Sequence, residues 1–135
     1  MKPSAAVLLL LPLQLSGYAS YPLACVPPAQ PAVAAEMLFG RKIGNRLAVT
    51  ESDFAAFLAE EVTPRFPEGL TVIDARGQWR DARRTIVHEP SKLLRIVFFD
   101  DAQKRAAVAG IAEAYKKRFS QDSVLTTFQT SCAVF

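Results

Sequence analysis

The chain has 135 residues, with 16 basic and 13 acidic side chains, one histidine and two cysteines. That length allows one domain of ordinary size and leaves little room for a second. One histidine and two distant cysteines are too few ligands for a zinc site, so we expect no metal. The net charge of +3 is too small to indicate a nucleic-acid-binding protein, and we expect no nucleic-acid partner.

The N-terminus has the pattern of an export signal. Lys2 is the only charged residue before Glu36. It precedes the apolar run Ala5–Leu15, which has the length of a signal peptide and is too short to cross a bilayer stably. We therefore expect an exported protein of the cell envelope.

The sequence is consistent with either of two processing sites. Small residues at Gly17 and Ala19 suit ordinary signal peptidase and predict a signal over residues 1–19. Alternatively, Leu23 and Ala24 before Cys25 resemble the end of a bacterial lipoprotein signal over residues 1–24. Cys25 would then carry a lipid that anchors the protein to the membrane. The predicted location is thus the periplasm, the membrane as a lipoprotein, or the outside of the cell.

Residues 25–35 are predicted to be a spacer ahead of a single domain over residues 36–135. The segment carries no charge and contains three prolines, which favour an extended, solvated chain. If Cys25 is not acylated, an oxidising compartment would permit a disulfide between Cys25 and Cys132. If Cys25 is acylated, Cys132 is expected to pack as a small apolar residue.

The domain begins with a predicted strand and helix. The strand is Glu36–Phe39, and the glycine-containing basic segment Gly40–Arg46 is predicted to be a plain connection. Thr50 and Asp53 have the spacing of a capping box, which starts a helix. The helix has an apolar stripe at helical spacing and is expected to end at Pro64; the stripe consists of Phe54, Phe57, Leu58 and Val62.

A predicted pair of strands follows the helix. Leu70–Ala75 is rich in β-formers, and Thr85–Val87 resumes the extended pattern after a bend at Arg76-Gly77. Pro90 interrupts the pattern and indicates a sheet edge or a bulge. Lys92–Phe99 is the most apolar segment of the domain and is predicted to be a central strand.

A second helix and a last strand complete the predicted fold. Asp100 or Asp101 caps the helix, and Ser123–Gln129 is the last strand. The buried face of the helix is predicted to contain Val108, Ala112, Tyr115 and Phe119. This order predicts an α+β fold, a ferredoxin-like β-α-β-β-α-β sandwich with one antiparallel sheet and both helices on one face.

The side chains of the central strand predict a second contact surface. Helices can cover only one of its two faces, yet both faces are largely apolar. The set that points away from Leu94, Ile96 and Phe98 consists of Leu93, Arg95, Val97 and Phe99. We expect a homodimer to form through this face, with a small apolar ligand as the alternative.

Four segments carry a resemblance to a known family. They are EMLFGR (36–41), EEVTPRFPEGLTVIDARGQW (60–79), EPSK (89–92) and AYKKRFSQDSVL (114–125). Together they resemble a family of small exported bacterial proteins known as domain of unknown function three-five-seven-four. The resemblance implies an envelope location, often as a lipoprotein, and it implies no activity.

No catalytic residue can be assigned from the sequence. His88 lacks the second histidine of a zinc protease motif, and Ser91-Lys92 has the wrong spacing for a serine–lysine acylase. Cys132 has no identifiable base. We predict no cofactor.

The most distinctive polar cluster flanks the only tryptophan. A wide aromatic ring beside cationic and amide groups could hold a polar or carboxylated small ligand. The candidate ligand-binding residues are Arg65, Gln78, Trp79, Glu89 and Lys92. The structural alternative is that Trp79 packs over the hairpin while Arg65 and Glu89 pair at the surface.

The sequence therefore supports two hypotheses about function. The first is a non-catalytic domain that binds a partner or a small ligand. The second, by analogy of fold, is a small enzyme related to dimeric α+β-barrel proteins, acting on a small polar or carboxylated molecule. The enzyme hypothesis predicts a polar cavity lined by some of Arg65, Asp74, Trp79 and Arg95.

Overall fold

Six strands and two helices make up the part of the chain that the computed structural model describes, residues 24–135. The strands are β1 (Gln30–Gly40), β2 (Lys42–Ile43), β3 (Arg46–Leu47), β4 (Thr71–Arg80), β5 (Ile86–Phe99) and β6 (Leu125–Ala133). The helices are α1 (Glu51–Phe57), which continues as a π-helical segment over Leu58–Val62, and α2 (Ala102–Phe119). Nearly all of the predicted export signal lies outside the described residues. No helix within them is long and apolar enough to span a membrane.

The four long strands form one antiparallel sheet in the order β4-β5-β1-β6. The predicted α+β class, with a four-stranded antiparallel sheet and two helices, is confirmed. The order also places the strand predicted over Lys92–Phe99 in the interior of the sheet. A difference appears in the segment Gly40–Arg46, which was expected to be a plain connection. It contains most of a second, two-stranded sheet of β2 and β3, which turns at Gly44 with φ of 58°.

The core lies between one face of the four-stranded sheet and the two helices. Alternate residues of β1 and β5 supply that face: Val33, Ala35, Met37, Phe39, Leu94, Ile96 and Phe98. The helices contribute Phe54, Phe57, Val108, Ile111 and Tyr115. The opposite side of the sheet, which we call the open face, includes Leu38, Ile73, Leu93, Val97 and Leu125.

An aromatic cluster joins the end of β1 to both helices. The Phe39 ring packs edge-on against Phe54, Phe57 and Tyr115, with centroid distances of 5.7, 5.9 and 4.6 Å. Such pairs each contribute about 0.5–1.5 kcal/mol beyond the burial of their area. The Tyr115 hydroxyl donates a hydrogen bond of 2.8 Å to the carbonyl of Gly40, and burial raises the pKa of Tyr115.

Both predicted helix caps are present. The Asp53 amide donates to Thr50 Oγ1 at 3.1 Å, and the Thr50 amide donates to Asp53 Oδ2 at 2.9 Å, which forms the capping box. Of the two candidates for the second helix, Asp101 is the cap, since its Oδ1 accepts two first-turn amides at 2.6 and 3.2 Å. Asp100 instead pairs with Arg105.

β1 is longer at its start than the sequence pattern predicted. Residues 30–35, assigned to the solvated spacer, form its first half, and Ala32–Ala35 are buried. Alanine is depleted in strands, so these residues have a weak local signal. Packing overrides that signal because small side chains fit opposite large ones, as where Ala32 lies opposite Phe99 and Ala34 opposite Val97.

The β4–β5 hairpin projects beyond the rest of the sheet. β4 continues to Arg80, past the bend predicted at Arg76-Gly77. Pro90 lies inside β5, but the pairing of β5 with β1 ends at Ser91. From Pro90 to the turn, β5 has only β4 as a neighbour. This is the edge position that a residue without an amide hydrogen tolerates.

Cys25 and Cys132 form a disulfide, with their Cα atoms 5.6 Å apart. The bond fastens the segment before β1 to β6, beside the pair formed by Pro31 and Cys132. Of the two fates predicted for Cys25, the structure contains the bridged one. A sulfur in a disulfide cannot also carry the thioether of a lipoprotein anchor.

We expect the oxidised chain to be more stable than the Cys25→Ser/Cys132→Ser double variant by about 2–5 kcal/mol, because the bridge constrains a long loop in the unfolded chain. Guanidinium unfolding with and without a thiol reductant measures the difference. The reductant should lower the midpoint of the wild type and leave that of the double variant unchanged. Equal midpoints for the oxidised wild type and the double variant would contradict the expectation.

Candidate functional site

The five predicted ligand-binding residues do not converge on one site. Arg65 lies farthest from the others, since the neighbouring Phe66 packs on Phe98 with a centroid distance of 5.5 Å. Phe98 is six residues along β5 from Lys92, or about 20 Å in a strand. The Arg65 guanidinium donates to Glu61 Oε2 at 2.7 Å, so Arg65 makes a local ion pair.

Two of the remaining four lie on opposite faces of the hairpin. Gln78 and Trp79 are consecutive in β4, and consecutive side chains of a strand point to opposite sides. Trp79 is 53% exposed, on the same face as Glu89 of the adjacent strand. Lys92 is on the helix side. The predicted set is therefore divided, and only Glu89 and Lys92 lie close to the cavities described below.

A charged cluster surrounds Lys92, and we call Arg41, Glu51, Asp74 and Lys92 the Lys92 cluster. Lys92 is only 5% exposed, although it is a lysine. Its Nζ donates to Glu51 Oε2 at 2.6 Å and to Asp74 Oδ1. Asp74 lies opposite Lys92 in the β4–β5 register, and Glu51 is the first residue of α1. The cluster thus ties the start of α1 to the sheet.

Arg41 supplies a second buried cation to the Lys92 cluster. It follows β1 directly and is 7% exposed. Its Nε donates to the carbonyl of Val49 at 2.9 Å, and its Nη1 donates to Glu51 Oε1 at 2.5 Å. The Glu51 carboxylate therefore bridges two buried cations, one on each oxygen.

The charges of the Lys92 cluster are stabilised in their ionised forms. The hydrogen bond from Lys92, with a further contribution from Arg41, lowers the pKa of Glu51 against the opposing effect of burial. The hydrogen bond from Lys92 likewise lowers the pKa of Asp74. Hydrogen bonds to Asp74 and then Glu51 raise the pKa of Lys92. All three pKa values move away from neutrality, which suits recognition of charge rather than proton transfer.

A cavity of about 210 Å³ adjoins the Lys92 cluster. Its wall includes Arg41, Glu51, Asp74, Arg76 and Ser91. Ser91 is 6% exposed, and its Oγ is the one buried side-chain polar atom that finds no hydrogen-bond partner within residues 24–135. The Arg76 side chain is exposed and makes no ion pair with any described residue. Because Ser91 alternates with Lys92 along β5, its Oγ points to the open face, and the free hydrogen-bonding capacity on the Lys92 side belongs to Arg76.

A second cavity of about 410 Å³ shares Arg76 and Pro90 with the first. Lys42, Gly77, His88 and Glu89 complete its wall. The Lys42 amide donates to Glu89 Oε1 at 2.9 Å, which fixes this carboxylate over Gly40. A Cβ at position 40 would lie 2.7 Å from Glu89 Oε1, so a larger residue there would displace the end of the Glu89 side chain.

Several residues of this site were not among the sequence candidates. Arg41, Glu51 and Arg76 come from three separate segments, and no spacing rule connects them. Asp74 had a signal, because it interrupts an apolar strand, and the enzyme hypothesis placed it in a cavity. Of the other residues in that hypothetical cavity, Arg65 pairs with Glu61 and Arg95 pairs with Glu36 on the open face. Within residues 24–135 no group of three or more histidine, cysteine or acidic side chains could hold a metal ion.

Comparisons with known proteins support a family and a fold. The family model described as "Protein of unknown function (DUF3574)" matches residues 34–135, which confirms the resemblance seen in the sequence. A phage SAM lyase in complex with S-methyl-5'-thioadenosine is similar in structure, with a TM-score of 0.61 and 16% identity over 77% of this chain and 90% of that one. A phage SAM lyase in the apo state has a TM-score of 0.59 and 14% identity over 85% and 97%. No curated protein matches the chain. At these identities the likeness shows the fold alone.

Replacing Lys92 with methionine should make the free energy of unfolding depend less steeply on pH in acid. The lowered pKa values of Asp74 and Glu51 mean that the folded state binds fewer protons than the unfolded state in acid. Stability is therefore present above the unfolded pKa values and is lost as pH falls through the folded ones. Because Lys92 is the first cause of both shifts, Lys92→Met should lose stability less steeply than the wild type from about pH 5 downward. Denaturant midpoints across this range measure the slope.

The matched control is Lys117→Met, which removes an exposed lysine of α2 that forms no ion pair with a described residue. It should keep the wild-type slope. A Lys92→Met profile parallel to that of the wild type would show that Lys92 does not set these pKa values.

Proposed function

This chain belongs to the family described as protein of unknown function (DUF3574), and from that premise we propose that it is an exported, non-catalytic domain that binds a small carboxylate ligand. The ligand site is the 210 Å³ cavity beside the Lys92 cluster. One observation carries the proposal. Two cations are buried, Arg41 in the cavity wall and Lys92 bonded to the wall residues Glu51 and Asp74, and both are held by carboxylates whose own side chains are largely exposed.

Stability alone gives little reason for this arrangement. Taking a cation out of water costs several kcal/mol, and well-packed apolar residues are often as stable as a buried ion pair. Here Asp74 is 82% and Glu51 69% exposed in their side chains, so neither carboxylate needs a buried partner. Charged groups in such a position beside a cavity are candidates for ligand recognition.

The charged and hydrogen-bonding groups of the cavity wall that have no partner indicate the chemistry of the ligand. Arg41 and Arg76 in the wall and Lys92, which is bonded to it, bring three positive charges, and Glu51 and Asp74 bring two negative ones, which leaves an excess of one positive charge. A carboxylate would satisfy the Arg76 guanidinium, which is suited to binding both oxygens of such a group. Asp74 Oδ2 accepts no hydrogen bond from a described residue and could accept one from an amino or hydroxyl group. The chemistry therefore fits a small amino acid or hydroxy acid.

Binding is favoured over catalysis by the protonation states of the site. Lys92 stays protonated because its pKa is raised, so it is not a general base. Asp74 and Glu51 stay ionised because their pKa values are lowered, so they are not general acids. Ser91 Oγ has no hydrogen-bond partner among the described residues to act as its base.

The second candidate function is a small enzyme of the dimeric α+β-barrel type. The fold likeness to phage SAM lyases and the position of Asp74 in a polar cavity favour it. S-adenosylmethionine carries an amino acid end, which is the chemistry inferred above for the ligand. Turnover of that compound by the purified chain would replace the binding hypothesis with the enzyme hypothesis.

The fold and the location are proposed on separate grounds. The sheet order β4-β5-β1-β6, with α1 and α2 packed on one face, supports a ferredoxin-like arrangement of the long strands. The Cys25–Cys132 disulfide supports an oxidising compartment, and we propose a periplasmic or secreted protein without a lipid on Cys25. Mass spectrometry of the mature N-terminus, isolated from cells, tests this proposal.

Calorimetric titration with a panel of amino acids, hydroxy acids and S-methyl-5'-thioadenosine tests the binding function. Arg76→Gln should weaken binding of the best ligand about 10- to 100-fold, because it removes a hydrogen bond to a charged group. Arg80→Gln is the matched control, since Arg80 is on the same strand and face but outside both cavities. Equal affinities for the two variants, or a panel without any binder, would refute the proposed site.

Lys92→Met separates a binding role from a structural one. Its removal leaves no buried unpaired charge, so we expect the free energy of unfolding near neutral pH to change by no more than about 1 kcal/mol. Ligand affinity should nevertheless fall, because the variant loses the positive charge that is bonded to the wall residues Glu51 and Asp74. A large loss of stability with unchanged affinity would assign Lys92 to structure alone.

A further inference from the structure

The open face of the sheet carries an unbroken apolar row that crosses all four strands. In the strand register, Ile73 pairs with Leu93, Leu93 with Leu38, and Leu38 with Leu125. Directly paired residues lie on the same face. Ile73 is 50% and Leu125 61% exposed, so the row is open to solvent at both edges. Exposed apolar surface of this extent on a small domain indicates a contact surface.

A charged row lies next to the apolar row, and the order of its charges is informative. Glu36 of β1 pairs directly with Arg95 of β5, and Arg95 Nη1 donates to Glu36 Oε1 at 3.0 Å. The two strands are the central pair of the sheet. On the described strands, only one other charge lies on the open face, that of Glu89 in the projecting hairpin. The centre of the face therefore holds one charge of each sign, side by side.

We propose that two copies of this chain pack open face to open face, about a two-fold axis that runs parallel to the strands between β1 and β5. This rotation places β1 of one copy over β5 of the other. Each row of side chains across the strands then faces the same row of the partner. Glu36 then faces the partner's Arg95, and Arg95 faces the partner's Glu36. The interface is isologous, as expected for a closed dimer.

The same rotation also matches the apolar side chains. Leu38 lies over the partner's Leu93, and Ile73 lies over the partner's Leu125. On the other side of the charged row the chain covers its own alanines, since Ala34 is buried and the Phe99 ring packs on Phe135 at 5.0 Å. Aligned sheets pack about 10 Å apart with their strands about 30° from parallel, a geometry that keeps the central rows in contact.

Among aligned packings of the two open faces, the charges disfavour a two-fold axis that runs across the strands along the charged row. Such an axis would place Arg95 over the partner's Arg95 and Glu36 over the partner's Glu36. Like charges facing each other in a buried interface are strongly unfavourable. The order of the charges therefore favours the axis parallel to the strands.

The central strands provide most of the contact area in this dimer. β4 and the partner's β6 overlap only at the levels of Leu93–Arg95, because β4 begins opposite Arg95 and β6 begins opposite Leu38. With strands about 4.8 Å apart, the two faces bury about 800 Å² together, which is the size of a weak, reversible interface. The low number of charges at the centre is also typical of interface cores.

Light scattering coupled to size exclusion tests the state of the oxidised chain, which should be a dimer at high protein concentration and dissociate on dilution. Glu36→Arg and Arg95→Glu each place like charges across the interface, and each should raise the dimer dissociation constant about 100-fold or more. Arg105→Glu, a matched charge reversal on the helix side of the sheet, should leave the dimer intact. Circular dichroism establishes that each variant is folded.

Mixing the two variants gives the decisive result. A Glu36→Arg chain presents two arginines at the centre of its open face, and an Arg95→Glu chain presents two glutamates. The two variants are therefore complementary to each other across the interface. Within each chain the two like charges still repel each other. The mixture should form a heterodimer with nearly wild-type affinity. A mixture of folded chains that stays monomeric, or single variants that dimerise as the wild type does, overturns the arrangement. A monomeric wild type overturns the dimer itself and leaves the open face to an apolar ligand or another protein.

Discussion

The ammonium group of Lys92 is the interaction on which the charged site depends. It extends from β5 to Asp74 on β4 and to Glu51 at the start of α1, while Glu51 also binds Arg41 at the end of β1. A buried cation requires opposite charges within hydrogen-bond distance, and the first residue of α1 meets that requirement. The aromatic cluster around Phe39 then packs on a helix whose first residue is already positioned.

Two different surfaces arise from the alternation of side chains along one strand. In β5, Leu94, Ile96 and Phe98 enter the core, and the residues between them form the open face. Because helices cover only one side, the second side is left apolar with a single central ion pair. The charged cluster lies on the helix side at the end of the core, where β1 stops and the hairpin projects. Recognition of a small ligand and contact with a second chain therefore need not compete.

Local signals predicted the helices well because their causes lie within a few residues. Thr50 and Asp53 meet within one turn, and Asp101 caps α2 through the amides that follow it. The start of β1 was missed because Ala32–Ala35 have little intrinsic preference for a strand and are held by partners about 65–100 residues away. The site was missed for the same reason. Its charges meet only after β1, β4 and β5 have paired, and proximity in sequence grouped Trp79 with Lys92, whose side chains lie on opposite sides of the sheet.

The geometry of the dimer also determines how its two ligand sites are placed. Rotation about an axis parallel to the strands preserves strand direction, so the β4–β5 hairpins of both copies project from the same end. The pairing of β1 with both neighbours ends near Gly40, and the hairpin beyond it has no partner strand on that side. Both cavities therefore lie at one end of the dimer, beyond the buried part of the interface.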